Sequence, residues 1–232
     1  MRRIVLVCAL AAAATAATAG PAGATNECRG LQVCVRVAGP WVVVPAQVGR
    51  TRTPVQYQLS CPRGFVVGGL DAELSDRAID IDFLATLGSP VGPGTTTTRA
   101  ALFRGVYTGA SARTPTFRPH VGCIPAAGGG GGPVPYRRLQ AFPPGQPTVR
   151  RVRNVPIRSA DVRAVAACGA GERLISSWHA VGFYTPKAPD AALYGSVTTS
   201  SRVLGERLFV RARANVRVRA VLQVGAVCGG GS

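Results

Sequence analysis

Apolar and polar positions alternate with period two along much of this chain. Val55, Tyr57 and Leu59 alternate with Gln56, Gln58 and Ser60. Leu31, Val33, Val35 and Val37 alternate with Gln32, Cys34 and Arg36, and Phe103 to Thr108 and Val162 to Ala167 are further strand candidates. A period of two sends successive side chains to opposite faces of an extended strand. β-Branched residues dominate the apolar runs, and proline and glycine recur every few residues. Both features favour strands joined by turns. A helical turn competes only between Asp71 and Leu87, and even there Ile79, Ile81 and Phe83 alternate with Asp80 and Asp82. The chain is therefore expected to be all-β.

The longest alternation lies near the C-terminus, in LFVRARANVRVRAVLQV. Arg211, Arg213, Arg217 and Arg219 share one parity. Val210, Ala212, Ala214, Val216, Val218, Ala220, Leu222 and Val224 share the other. The run is long for one strand, so a turn near Asn215 is expected. A three-residue turn there makes a hairpin with Arg213 opposite Arg217 and Arg211 opposite Arg219. Like charges directly opposite repel. Such a ladder calls for an anion, either the acidic stretch at 71–82 or an external ligand.

Cysteines frame a duplication. Cys61 opens SCPRGFVVGGL and HVGCIP closes at Cys123; Cys168 opens ACGAGERLISSW and VGAVCGG closes at Cys228. A Val-Pro strand signal precedes each opening cysteine, WVVVPAQ before the first and RNVPIR before the second. Two near-equal spans with matching ends point to one unit copied once. The expected fold is two related, disulfide-closed antiparallel β modules, sandwich-like and in tandem. The divisions are an N-terminal disulfide hairpin at 25–40, module one at 41–124, a Gly/Pro-rich linker at 125–147 and module two at 148–232. Six cysteines allow fifteen pairings. The duplication selects Cys61–Cys123 and Cys168–Cys228, which leaves Cys28 with Cys34. Whether the modules are separate domains or one sandwich stays open.

Residues 1–24 carry the marks of an export signal: Arg2 and Arg3, an apolar core from Ile4 to Ala19, and Ala22-Gly23-Ala24. Cys8 leaves with it. No later stretch is long and apolar enough to span a bilayer. The expected product is secreted, free or held at the cell envelope, and an oxidising location suits the even cysteine count. Without Arg2 and Arg3, 25 basic residues stand against 10 acidic ones, a net charge of about +15. Lys187 is the only lysine. A GC-rich genome explains abundant Arg, Ala, Gly and Pro together. A field of one sign also concentrates an acidic polymer.

CPRGFVVGG at Cys61 to Gly69 follows the pattern CPxGxxVxGG as far as Val67 and lacks the one residue before its glycine pair. A variable middle follows, then a Ser-rich turn, a strand with an aromatic and a closing strand ending in Cys. VTTSSRVLGERLFVRARANVRVRAVLQVGAVC, ending at Cys228, shows the second half of that order. This arrangement resembles repeated modules of uncharacterised secreted actinobacterial proteins, over about two thirds of the chain. The first copy departs from it by a GPGTTTT insertion, the second by GAGE where CPxG would continue. The resemblance implies a β module and export. It assigns no functional residue.

The chemistry-bearing residues are sparse. His179 follows Ser176-Ser177-Trp178, with Asp161 and Asp190 the nearest acids, but no GxSxG elbow exists and neighbours on a strand face opposite ways. His120 and His179 are the only histidines, and no CxxC pair exists, so no metal centre is expected. Asp71, Glu73, Asp76, Asp80 and Asp82 fit no EF-type loop. They serve a hydrolase only if two share a cleft. The five glycines at 128–132 lack the GK[ST] of a phosphate loop. Trp178 with Tyr184 or Tyr194 offers a sugar platform, though core packing explains single aromatics equally. The sequence therefore points to a non-catalytic secreted protein whose Arg211, Arg213, Arg217 and Arg219 bind acidic polysaccharide or cell-wall polymer. No cofactor and no specific nucleic acid are expected. The alternatives are a hydrolase using 71–82 and a purely structural module.

Overall fold

A computed structural model describes residues 25–46, 52–84, 99–109, 114–126, 148–158 and 161–230. The expected export signal, the GPGTTTT insertion and most of the 125–147 stretch lie outside the described residues.

The strands are β1 (Val35–Ala38), β2 (Trp41–Val43), β3 (Val55–Ser60), β4 (Phe65–Leu74), β5 (Ile79–Leu84), β6 (Ala100–Tyr107) and β7 (Thr116–Pro125) in the first half. The second half carries β8 (Thr148–Ile157), β9 (Asp161–Ala167), β10 (Arg173–Phe183), the short helix α1 (Ala191–Gly195), β11 (Val197–Leu204), β12 (Arg207–Ala214) and β13 (Ala220–Gly229). The protein is all-β, and its strand pairs are antiparallel.

Both halves use the same pairing order. β7 lies between β2 and β4, as β13 lies between β8 and β10. β6 lies between β3 and β5, as β12 lies between β9 and β11. Gly64 and Gly171, each three residues after an opening cysteine, have φ of +82° and +79°. Glycine takes that backbone conformation without a Cβ penalty. A bulge follows in each third strand, between Val67 and Gly69 and between Leu174 and Ser176. Val67 opposes Cys123, and Leu174 opposes Cys228.

The halves share a sheet. β2 pairs β10, Trp41 opposite Phe183 and Val42 opposite Gly182, which merges the larger sheets into one of seven strands. Alternation then sends neighbouring residues into different cores. Val42 and Val44 join the first cluster with Tyr57, Phe103 and Phe117, whereas Val43 packs on the second with Val210 and Leu222. Ala180 and Val221 belong to the first cluster, and Val181 and Leu222 to the second. The β3–β6–β5 sheet thus covers one face of the shared sheet and β9–β12–β11 the opposite face.

The three disulfides are Cys28–Cys34, Cys61–Cys123 and Cys168–Cys228, with Cα separations of 5.7, 5.7 and 5.5 Å. Each long bridge joins the end of a small-sheet strand to the closing strand of the large sheet, so it ties two layers. The alternation from Leu31 to Val37 makes a strand only from Val35 onward. The Cys28–Cys34 closure bends the preceding residues into turns, with Leu31 N–H bonded to the Cys28 carbonyl at 3.2 Å. Asp71 to Leu84 is strand on both sides of a turn, not helix.

Candidate functional site

The arginine-rich run folds differently from a hairpin. β12 ends at Ala214, and β13 begins at Ala220 in the other sheet. The stretch 215–219 is the crossover between layers. Arg213 opposes Thr198 and Asp161, and Arg211 opposes Ser200 and Arg163. The opposition of Arg213 to Arg217 is therefore corrected, because a sandwich sends consecutive strands into separate sheets. Parity itself holds in β12: Leu208, Val210 and Ala212 are buried in the second core, and Arg211 and Arg213 face outward. Arg219 stacks on the Tyr184 ring, its guanidinium 4.3 Å from the centroid. Arg217 is exposed on the crossover.

The register extends this outward face across three strands. One row is Ser200, Arg211 and Arg163; the next is Arg202, Phe209 and Val165. Thr198, Arg213 and Asp161 flank them on one side, and Leu204, Arg207 and Ala167 on the other. Residues directly opposite on antiparallel strands share a face. Five arginines and one carboxylate therefore occupy one side of the sheet. Arg163, Arg202 and Arg207 were not visible as partners of Arg211, because they arrive from separate strands or flank a tip.

Asp161 sets the electrostatics. Arg211 Nε and Nη2 donate to its two carboxylate oxygens at 2.8 and 2.6 Å. Arg163 Nη2 lies 4.0 Å away. The hydrogen bonds from Arg211 hold the Asp161 carboxyl below its ordinary range, with the charges of Arg211, Arg163 and Arg213 acting the same way. The Arg202 guanidinium lies 5.6 Å from the centre of the Phe209 ring. An open depression of about 720 Å³ runs over this area, lined by Arg163, Val165, Ser200, Arg202, Phe209 and Arg211.

The acidic stretch lies elsewhere and is dispersed. Asp71 and Glu73 stand on β4, where Glu73 Oε2 is 3.8 Å from Arg118 Nη1 and Oε1 is 3.4 Å from His120 Nε2. Asp76 accepts the Ala78 N–H at 2.9 Å in the turn, and Asp82 on β5 accepts from Arg104 at 2.9 Å. His179 Nε2 lies 3.2 Å from Thr199 Oγ1, and burial lowers its basicity. The two acids nearest His179 in sequence have other partners: Asp161 holds Arg211, and Asp190 caps α1 through the Leu193 N–H. Among the described residues, Cys168, Glu172 and Cys228 bring ligand-type atoms together, but both sulfurs are joined in the disulfide.

Trp178 is buried on β10 opposite Gly225, with the Arg150 guanidinium 5.3 Å from its ring centre. Tyr184 lies under Arg219, and Tyr194 sits on α1 against the second core. These aromatics do not converge on one surface.

No family model and no curated protein matches the chain. Among solved structures, the collagen-binding domain of the surface protein RspB of Erysipelothrix rhusiopathiae aligns at 13% identity. The alignment covers 84% of this chain and 81% of that one, with a TM-score of 0.27. A likeness this weak carries no argument about role.

Proposed function

We propose that this is an exported, non-catalytic β protein that binds an acidic glycan or wall polymer through the outer face of β9–β12–β11. The observation that carries the reading is the grouping of Arg163, Arg202, Arg207, Arg211 and Arg213 around Phe209, with Asp161 the single carboxylate in those rows. One exposed guanidinium binds weakly, and several on one face act together on a polyanion. Arg217 lies on the crossover after β12 and Arg219 stacks on Tyr184, so neither stands in those rows. Three disulfides suit an oxidising, extracellular location. No described helix is long and apolar enough to cross a membrane.

The test is salt-gradient elution of the disulfide-intact protein from immobilised polygalacturonate. The native protein is expected to be retained and to elute with salt, because screening weakens exposed charge contacts. A variant with all five arginines replaced by Gln is expected to flow through. Equal retention of the two, both folded, would place binding elsewhere. Flow-through of the native protein would remove the binding reading.

A further inference from the structure

The outward face of β12 is self-satisfied in a particular way. Arg211, the best-placed fork on it, already holds a carboxylate through two parallel hydrogen bonds, at 2.8 and 2.6 Å. That carboxylate comes from Asp161, fifty residues earlier in the chain and on the neighbouring strand. The apolar platform is covered too, by Arg202 over Phe209. Arg211 and Phe209 lie two residues apart on one strand, roughly 7 Å by strand geometry. A pyranose ring with a carboxylate at its edge has matching parts: an apolar ring face for Phe209 and a planar carboxylate for the guanidinium fork.

We infer that the ligand of this face is a carboxylate-bearing (uronic acid) glycan, and that Asp161 is its internal competitor, occupying Arg211 until a sugar carboxylate replaces it. This rests on the acidic-polymer reading above. The exchange keeps Arg211 paired throughout. It releases Asp161 towards Arg163, whose Nη2 is already 4.0 Å away. Arg202 is exposed and free to swing off the ring as the sugar seats. A bare phosphate or sulfate polymer engages the same charges but has less use for Phe209.

The experiment compares full-length, disulfide-intact proteins on polygalacturonate and on immobilised inorganic polyphosphate, which is rich in charge and lacks both carboxylates and sugar rings. Asp161→Asn is expected to bind polygalacturonate about two- to fivefold more tightly, the scale of one exposed ion pair. Asp82→Asn, which removes one carboxylate from a different sheet, controls for net charge and is expected to leave affinity within about twofold of native. Phe209→Leu is expected to weaken polygalacturonate binding while leaving polyphosphate binding unchanged. Asp161→Ser serves as a second substitution if Asp161→Asn melts early. Native retention with no gain from either Asp161 variant overturns the competitor and leaves the acidic-polymer reading standing. An equal gain from Asp82→Asn overturns it as a charge effect. Phe209→Leu losing both polymers alike overturns the uronate class. No native retention on either polymer sinks the underlying reading itself.

Discussion

The side-chain amide of Gln223 pairs with both backbone groups of Gln58. Gln223 Oε1 accepts the Gln58 N–H at 2.6 Å, and Nε2 donates to the Gln58 carbonyl at 2.9 Å. Nε2 also donates to Asn154 Oδ1 at 2.9 Å. Gln223 stands on β13 of the second half and Gln58 on β3 of the first. One fully buried side chain thus imitates a strand neighbour and sews the small sheet of one half to the large sheet of the other.

Replacing Gln223 by Leu keeps the volume but leaves the Gln58 N–H and carbonyl without that partner. The expected loss is about 2–3 kcal/mol, the range for stranding such groups. Urea melts of native and Gln223→Leu proteins measure it. A loss below about 0.5 kcal/mol would mean that water takes over the role of the amide.

The long disulfides invite a paired comparison. Cys61–Cys123 and Cys168–Cys228 close loops of 62 and 60 residues. In the loop-entropy model each contributes about 4 kcal/mol. Replacing either pair by Ala is expected to lower stability by similar amounts. Loss of one bridge with little effect would show that its half retains order in the unfolded chain.

Much of this was legible because burial follows parity. Leu208, Val210 and Ala212 face the core, and Val55, Tyr57 and Leu59 do the same, as alternation demands. Cysteine spacing carried the bridges for a similar reason, since both halves repeat one path. Partner choice was not legible. Parity says which way Arg211 points, not which strand lies beside it. Asp161 is fifty residues away, and β9 reaches β12 only because the sheets are layered. The β12–β13 hairpin failed on the same point: a strand and its successor sit in different layers, which no local pattern records. Glu27, next to the Cys28–Cys34 loop, is almost fully buried with Arg36 Nε 3.7 Å from its Oε1, and the sequence did not mark it because that burial is made by the fold.

That loop offers a close-packing test. Gly69 and Gly122 oppose each other across β4 and β7, and the backbone of Glu27 lies against both. A Cβ at Gly122 would come 2.0 Å from the Glu27 carbonyl oxygen. Gly122→Ala must therefore lift the Cys28–Cys34 loop off the sheet. Overpacking of this kind costs about 1–3 kcal/mol. Hydrogen exchange is expected to speed up in residues 26–34 while β12 and β13 stay protected. Unchanged protection of the loop would show that β4 and β7 yield instead.

The last prediction concerns pH. His120 is buried on β7 with Glu73 Oε1 3.4 Å from its Nε2, and burial pulls its pKa below the ordinary 6.5. The charges of Glu73, Glu27 and Asp71 act upward and that of Arg118 downward, and burial prevails. His179 shifts the same way through burial. A histidine with a depressed folded pKa binds protons more readily in the unfolded chain. Stability is therefore full above about 6.5 and declines as pH falls below it, until the folded value is reached. Asp161 and Glu172, also depressed, act in the separate carboxylate window at lower pH. Melting temperatures between pH 7.5 and 5 are expected to fall, and His120→Gln is expected to flatten part of that fall, leaving the share owed to His179. A slope unaltered by His120→Gln would mean that the imidazole is already solvated when it takes its proton.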